Sequence, residues 1–175
     1  MANDDGSSGL DAYKLGRAYG VMPIPMVTEA CTDVAAGPIT FVLEGRRLTD
    51  EAILGNARAR GGLDAIEQPV GVDDGGQSIH VLGTDDRVEH LRFDCFEHEP
   101  HYHYIDNVEQ TNVVVRIDTF ADGDATEWSL RCLRERLPEM LTHAGMTELA
   151  EEVRASADEV AAGVDRVQTM VARSP

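Results

Sequence analysis

The stretch SIHVLGTDDRVEHLRFDCFEHEPHYHYIDNVEQTNVVVRIDTF, residues 78–120, decides the fold. β-Branched and aromatic residues recur in it at period two, which predicts strands over 78–82, 88–97, 101–105 and 112–120. Gly83-Thr-Asp-Asp86, Glu99-Pro100 and residues 106–110 interrupt them. Connections this short join antiparallel neighbours, so the stretch reads as a β-meander.

C-terminal to the meander the period changes. Asp124-Ala-Thr-Glu127 has capping-box spacing ahead of Trp128, Leu130, Leu133, Leu137 and Leu141, and Pro138 is expected to kink or divide that helix. A final helix follows Thr147. It places Leu149, Val153, Ala157, Val160, Val164, Val167 and Val171 on one stripe, lean in side-chain volume for a coiled coil. The stripe packs either on the protein's own sheet or between subunits of a homo-oligomer.

N-terminal to the meander, residues 39–43 (ITFVL) read as a buried strand, and Thr49 or Asp50 caps a helix through about Arg60. Residues 10–18 and 28–36 read as short helical pieces broken by Gly20, Pro23-Ile-Pro25 and Gly37-Pro38, and residues 68–77 as a loop. Residues 1–9 are polar and expected to be disordered. The expectation is therefore a single α+β domain over 10–175. Its antiparallel meander of about four or five strands is covered by two C-terminal helices, behind an irregular helical N-terminal segment.

Charge narrows the function. The 175 residues carry a net charge of −17, spread along the chain and not gathered in a tail. Phosphate-backbone binding and adhesion to anionic membranes need clustered Lys and Arg, so nucleic acid and membrane partners are disfavoured. Arg46, Arg47, Arg58 and Arg60 form the densest basic group and are expected to pair with Glu44, Asp50, Glu51 and Asp64. The Lys-poor, acidic composition suits a GC-rich genome or salt adaptation. No apolar run approaches a membrane span, and the acidic start is unlike a signal peptide. Cys31, Cys95 and Cys132 form no C-x-x-C pair, and the natural reading is a reducing cytoplasm.

One region carries chemistry. Five of the six histidines, His80, His90, His98, His101 and His103, lie within residues 80–103 beside Asp94, Glu97 and Glu99. Imidazole and carboxylate are the commonest ligands of Zn, Mn and non-haem Fe. With Glu99-Pro100 as the tip of a hairpin, 98 faces 101 and 96 faces 103. One sheet face then gathers His90, Arg92, Asp94, Phe96, His98, His101, His103 and Ile105. Leu91, Phe93, Cys95, Tyr102 and Tyr104 take the other face, which suits a core. A longer loop would change the pairing.

The candidate ligands of one divalent metal (Zn, Fe or Mn) are His98, His101 and His103, with Asp94 or Glu99 as carboxylate. Two histidines and a carboxylate suit Fe(II), and three histidines and a water suit Zn. The same face could instead serve a small polar ligand. The step His101-x-His103 is similar to that of cupins. Glu109 follows only after five intervening residues and no second histidine motif appears, so the chain is not assigned there.

Cys95 is expected to point into the core, away from the histidines. No G-x-S-x-G, P-loop or G-x-G-x-x-G is present, and the sequence names no reaction. The alternative function is that of a non-catalytic accessory subunit, meeting protein partners through its long C-terminal helix.

Overall fold

The computed structural model describes residues 16–59 and 71–173. The expected disorder of residues 1–9 lies outside them, as do parts of the helix expected over 10–18 and the loop expected over 68–77.

Seven antiparallel strands form one sheet: β1 (Arg17–Tyr19), β2 (Cys31–Ala36), β3 (Ile39–Thr49), β4 (Asp73–Gly83), β5 (Glu89–Phe96), β6 (His101–Asp106) and β7 (Thr111–Arg116). Their order is β1-β7-β6-β5-β4-β3-β2. β2 to β7 thus run as an uninterrupted meander, and β1 returns to close its far edge against β7. Among the described residues five helices accompany it: α1 (Asp50–Ala59), α2 (Ala125–Glu135), α3 (Leu137–His143), α4 (Thr147–Ala155) and α5 (Ala157–Val171).

This architecture corrects the expected fold in three places. The sheet has more than four or five strands, because β2 replaces the helical piece expected over 28–36 and β1 takes Arg17 and Ala18 at the end of the piece expected over 10–18. Residues 28–30 form a single 3-10 turn, after which Cys31–Ala36 pairs with β3 through the tight Gly37-Pro38 connection. Edge pairing to a long buried neighbour overrides the weak local preference of Ala35 and Ala36. β4 begins at Asp73, inside the expected loop, because Asp73 to Gln77 pair with Gly45 to Thr49 and extend both strands.

The third correction concerns the helices, which are neither two in number nor confined to the C-terminus. α1 lies between β3 and β4, where a helix starting at Thr49 or Asp50 is expected. The expected pair after the meander becomes four, since Pro138 sits in the first turn of α3 and the final helix breaks at Ser156. Asp124 caps α2 as its spacing suggests, its side chain accepting from the Glu127 N–H at 2.9 Å.

One sheet face makes the core. Phe41, Leu43, Ile79, Val81, Leu91 and Phe93 pack against Leu133, Leu137, Leu141, Val160, Val164 and Val167. Val153, Val160, Val164 and Val167 of the C-terminal stripe are buried within this same chain. Gly163 brings α5 down on the sheet, where a Cβ would overlap Ala36. No helix among the described residues is long and apolar enough to cross a membrane.

Candidate metal centre

Period-two alternation sends every second residue of the central strands to the face opposite the helices. Cross-strand pairing then lines them up in rows. One row runs Glu44, Ser78, Asp94, His101 and Arg116 across β3 to β7, and the next runs Val42, His80, Arg92, His103 and Val114. Polar residues on the outer face of a sheet are ordinarily solvated. Here Glu44, Ser78, His80, Arg92, Asp94, His103 and Asn112 are all buried.

The cover is the segment between β1 and the 3-10 turn, residues 20–27. Asn112 Nδ2 donates to the Val21 carbonyl at 2.6 Å, and Arg46 and Arg92 both donate to the Ile24 carbonyl at 2.9 Å. The Val27 N–H donates to Glu44 Oε1 at 2.8 Å. Pro23 and Pro25 have no N–H, so around Ile24 this strap presents mainly carbonyls, and the sheet's guanidiniums satisfy them.

Beneath the strap, three ligand-type atoms converge. Nε2 of His103 lies 3.0 Å and Nε2 of His101 3.3 Å from Oδ2 of Asp94, and one ligating atom from each residue falls within 4.8 Å of the others. The outer partners determine which ring nitrogen carries hydrogen. His101 Nδ1 is 2.7 Å from the Glu99 carbonyl, which only accepts, so Nδ1 donates. Asn112 must donate its amide to Val21, which turns Oδ1 towards His103 Nδ1 at 2.8 Å, and Nδ1 again donates. In the neutral rings both Nε2 lone pairs therefore face Asp94. Ser78 Oγ donates to Asp94 Oδ1, orienting the carboxylate.

Burial opposes ionisation of Asp94, but hydrogen bonds from His101 and His103 hold its carboxyl well below the ordinary range. Burial likewise opposes charge on His101, and Asp94 overcomes it and raises the imidazole pKa.

A second network abuts the first. His80 Nδ1 is 2.6 Å from Glu89 Oε1 and its Nε2 is 3.1 Å from Glu44 Oε2. Carboxylates only accept, so both ring nitrogens donate and the ring is an imidazolium. Burial disfavours that charge, yet Glu44 and Glu89 raise the His80 pKa above its ordinary value. Arg92 grips Glu89 with Nε and Nη2, each at 2.8 Å. Burial would raise the Glu89 pKa, but bonds from His80 and Arg92 bring it down to about 2.

Of the five proposed ligands, Asp94, His101 and His103 come together. His98 and Glu99 are exposed on the turn, where their backbone N–H groups donate to Asp74 at 3.1 and 2.8 Å. The register explains the difference. Asp94 faces His101 and Arg92 faces His103, so six residues, 95–100, separate the last β5–β6 pair in place of a tip at Glu99-Pro100, and residues 97–100 lie outside both strands. The pairing moves by an even step, which leaves Asp94, His101 and His103 on one face and carries His98 off the strand.

His90 sits at the β-bulge opposite Leu82, buried, with neither ring nitrogen hydrogen-bonded, and burial lowers its pKa. Cys95 points to the helix side, its thiol 3.4 Å from Ser129 Oγ, and burial pushes its pKa up to about 11. Arg46 pairs with Glu44 as anticipated, whereas Arg47 pairs with Asp73.

Sequence reading missed the roles of Glu44, Ser78, His80, Glu89 and Asn112. The available signal was polar alternation within strands bounded by apolar residues, at Thr40, Glu44 and Arg46 on β3 and at Ser78 and His80 on β4.

Residues 33–171 match the family model described as a domain of unknown function, DUF7700, and the chain belongs to that family. No curated protein and no solved structure matches the chain.

Proposed function

We propose that this protein binds one divalent first-row metal ion through Asp94 Oδ2, His101 Nε2 and His103 Nε2. One observation carries the reading: both imidazoles commit Nδ1–H to carbonyl oxygens and turn their Nε2 lone pairs onto a buried carboxylate. Without a cation between them, that arrangement needs extra protons. With one, it is a metal-ligand set whose histidines are oriented by outer hydrogen bonds. Two histidines and one carboxylate leave coordination positions open and suit Fe(II) or Mn(II) better than a closed structural zinc site.

Elemental analysis of protein purified without a histidine tag or added metal tests this directly. Added Fe(II), Mn(II) or Zn(II) should raise the melting temperature at pH 7. Asp94→Asn, His101→Ala and His103→Ala should each abolish the rise, while His143→Ala should not. His98→Ala and Glu99→Ala should keep it, because those side chains lie outside the group. A metal response that survives all three of the first substitutions defeats the proposal. A response lost only with His98 or Glu99 would move the site to the turn.

A further inference from the structure

We infer that the metal centre takes a carboxylate ligand, one oxygen on the metal and the other on the guanidiniums of Arg46 and Arg92. The inference rests on the metal reading above. A cavity of about 60 Å³ is lined by Asp94, His101 and His103 on one side and by Arg46 and Arg92 on another. By this measure a water needs roughly 10–15 Å³, so the space admits an ion and a few further atoms.

Charge selects what those atoms are. With His101 and His103 counted as neutral, as they are when they ligate a metal, three carboxylates (Glu44, Glu89, Asp94) balance two guanidiniums (Arg46, Arg92) and the His80 imidazolium held between two of them. A divalent ion bound by neutral histidines leaves this buried set with a surplus of two positive charges. Uncompensated charge among buried groups is costly, so an anion completes the set.

Geometry selects the shape. Each guanidinium has five N–H donors, and its hydrogen bonds to Glu44, Glu89, Ile24 and Pro25 use three, leaving two on each among the described residues. Planar guanidinium forks match planar oxyanions. Both arginine side chains are over nine-tenths buried, 7% and 3% exposed, so they are built into the cavity and not surface charges.

The carboxylate could arrive alone or as the head of a larger molecule. A neighbouring cavity of about 330 Å³ shares Leu48, Phe96 and His101 with the first; Leu48, Val72 and Phe96 give such a body an apolar side, alongside the polar Asp73, Asp74, His98 and Glu99.

The test uses the full chain loaded with Co(II), whose visible absorption reports its coordination. Acetate should change the spectrum saturably, and acetamide, equal in shape but uncharged, should bind at least tenfold more weakly. Arg46→Gln should weaken acetate at least tenfold while Co(II) still binds. The acetate–acetamide comparison needs no variant and stands if that one fails to fold. Equal affinities for formate, acetate and butyrate identify a free small anion, and affinity rising with length identifies a tail in the larger cavity. Either series supports a carboxylate ligand. Co(II) bound tightly with no acetate effect, or acetamide equal to acetate, overturns this inference and leaves the metal reading standing. Failure to bind Co(II) at all overturns both.

Discussion

Glu89→Gln probes the charge balance on which the centre depends. Glu89 Oε1 accepts from His80 Nδ1 at 2.6 Å and from Arg92 Nε at 2.8 Å, and Oε2 accepts from Arg92 Nη2 at 2.8 Å. A glutamine keeps the volume and one acceptor oxygen. Its NH₂ then meets Arg92 Nη2, donor against donor, and two buried cations lose their counter-charge.

The size follows from linkage. A carboxyl whose pKa falls from the ordinary 4.5 to about 2 on folding contributes roughly 3 kcal/mol at neutral pH. Breaking a buried ion pair from one side independently suggests about 3–5 kcal/mol. Because the folded pKa is lowered, the contribution is complete above about pH 4.5 and is lost as pH falls through 4.5 towards 2. Urea unfolding at pH 7, 5, 4 and 3 should therefore show Glu89→Gln about 3 kcal/mol less stable at pH 7 and 5, with the gap narrowing below 4.5 as Glu89 protonates in the parent's unfolded chain. A gap under about 1 kcal/mol at pH 7, or one unchanged down to pH 3, refutes the reasoning.

Other expectations follow from neighbouring residues. His80 has a raised folded pKa, so its stabilisation is full below about 6.5 and lost as pH rises through the folded value. The stability gap between parent and His80→Gln should accordingly shrink with rising pH in urea titrations. Asn112→Leu removes the acceptor that orients His103 and should weaken metal binding about 10–100-fold by titration calorimetry, with the fold retained by circular dichroism. Metal affinity should fall between pH 7 and 5, as protons compete for imidazoles, and the raised His101 pKa places that loss early. Gly163→Ala should cost about 1–3 kcal/mol in urea unfolding, since its Cβ would overlap Ala36 where α5 meets β2.

Much of the candidate centre was legible because strand faces depend only on parity. Asp94, His101 and His103 alternate correctly with Leu91, Phe93, Tyr102 and Tyr104, and any even change in pairing preserves that division. What parity does not decide is the length of the turn. Pro100 makes a two-residue tip unfavourable, and the six-residue connection between Asp94 and His101 puts His98 and Glu99 on the turn. The extra strands were hidden for another reason. Cys31–Ala36 and Arg17–Tyr19 are edge strands with small or exposed side chains, and they exist through pairing with β3 and β7, which no local window contains.

The strap over the polar face was the least legible feature, and it changes the chemistry most. Gly20, Pro23 and Pro25 read as helix breakers, but they follow a strand and end no helix among the described residues, and their consequence lies about 20 to 90 positions away along the chain. Ile24 meets Arg46 and Arg92, and Val21 meets Asn112. Remove that cover and Glu44, His80, Glu89, Arg92 and Asp94 would be a solvated face of paired charges, each pair worth about 0–1 kcal/mol. Under it, the same residues lie in a low-dielectric layer where every donor needs an acceptor and every charge a partner. The strap is thus what turns a charged sheet face into a candidate metal centre. It covers that face through carbonyls that the arginines, already bound to carboxylates, are placed to satisfy.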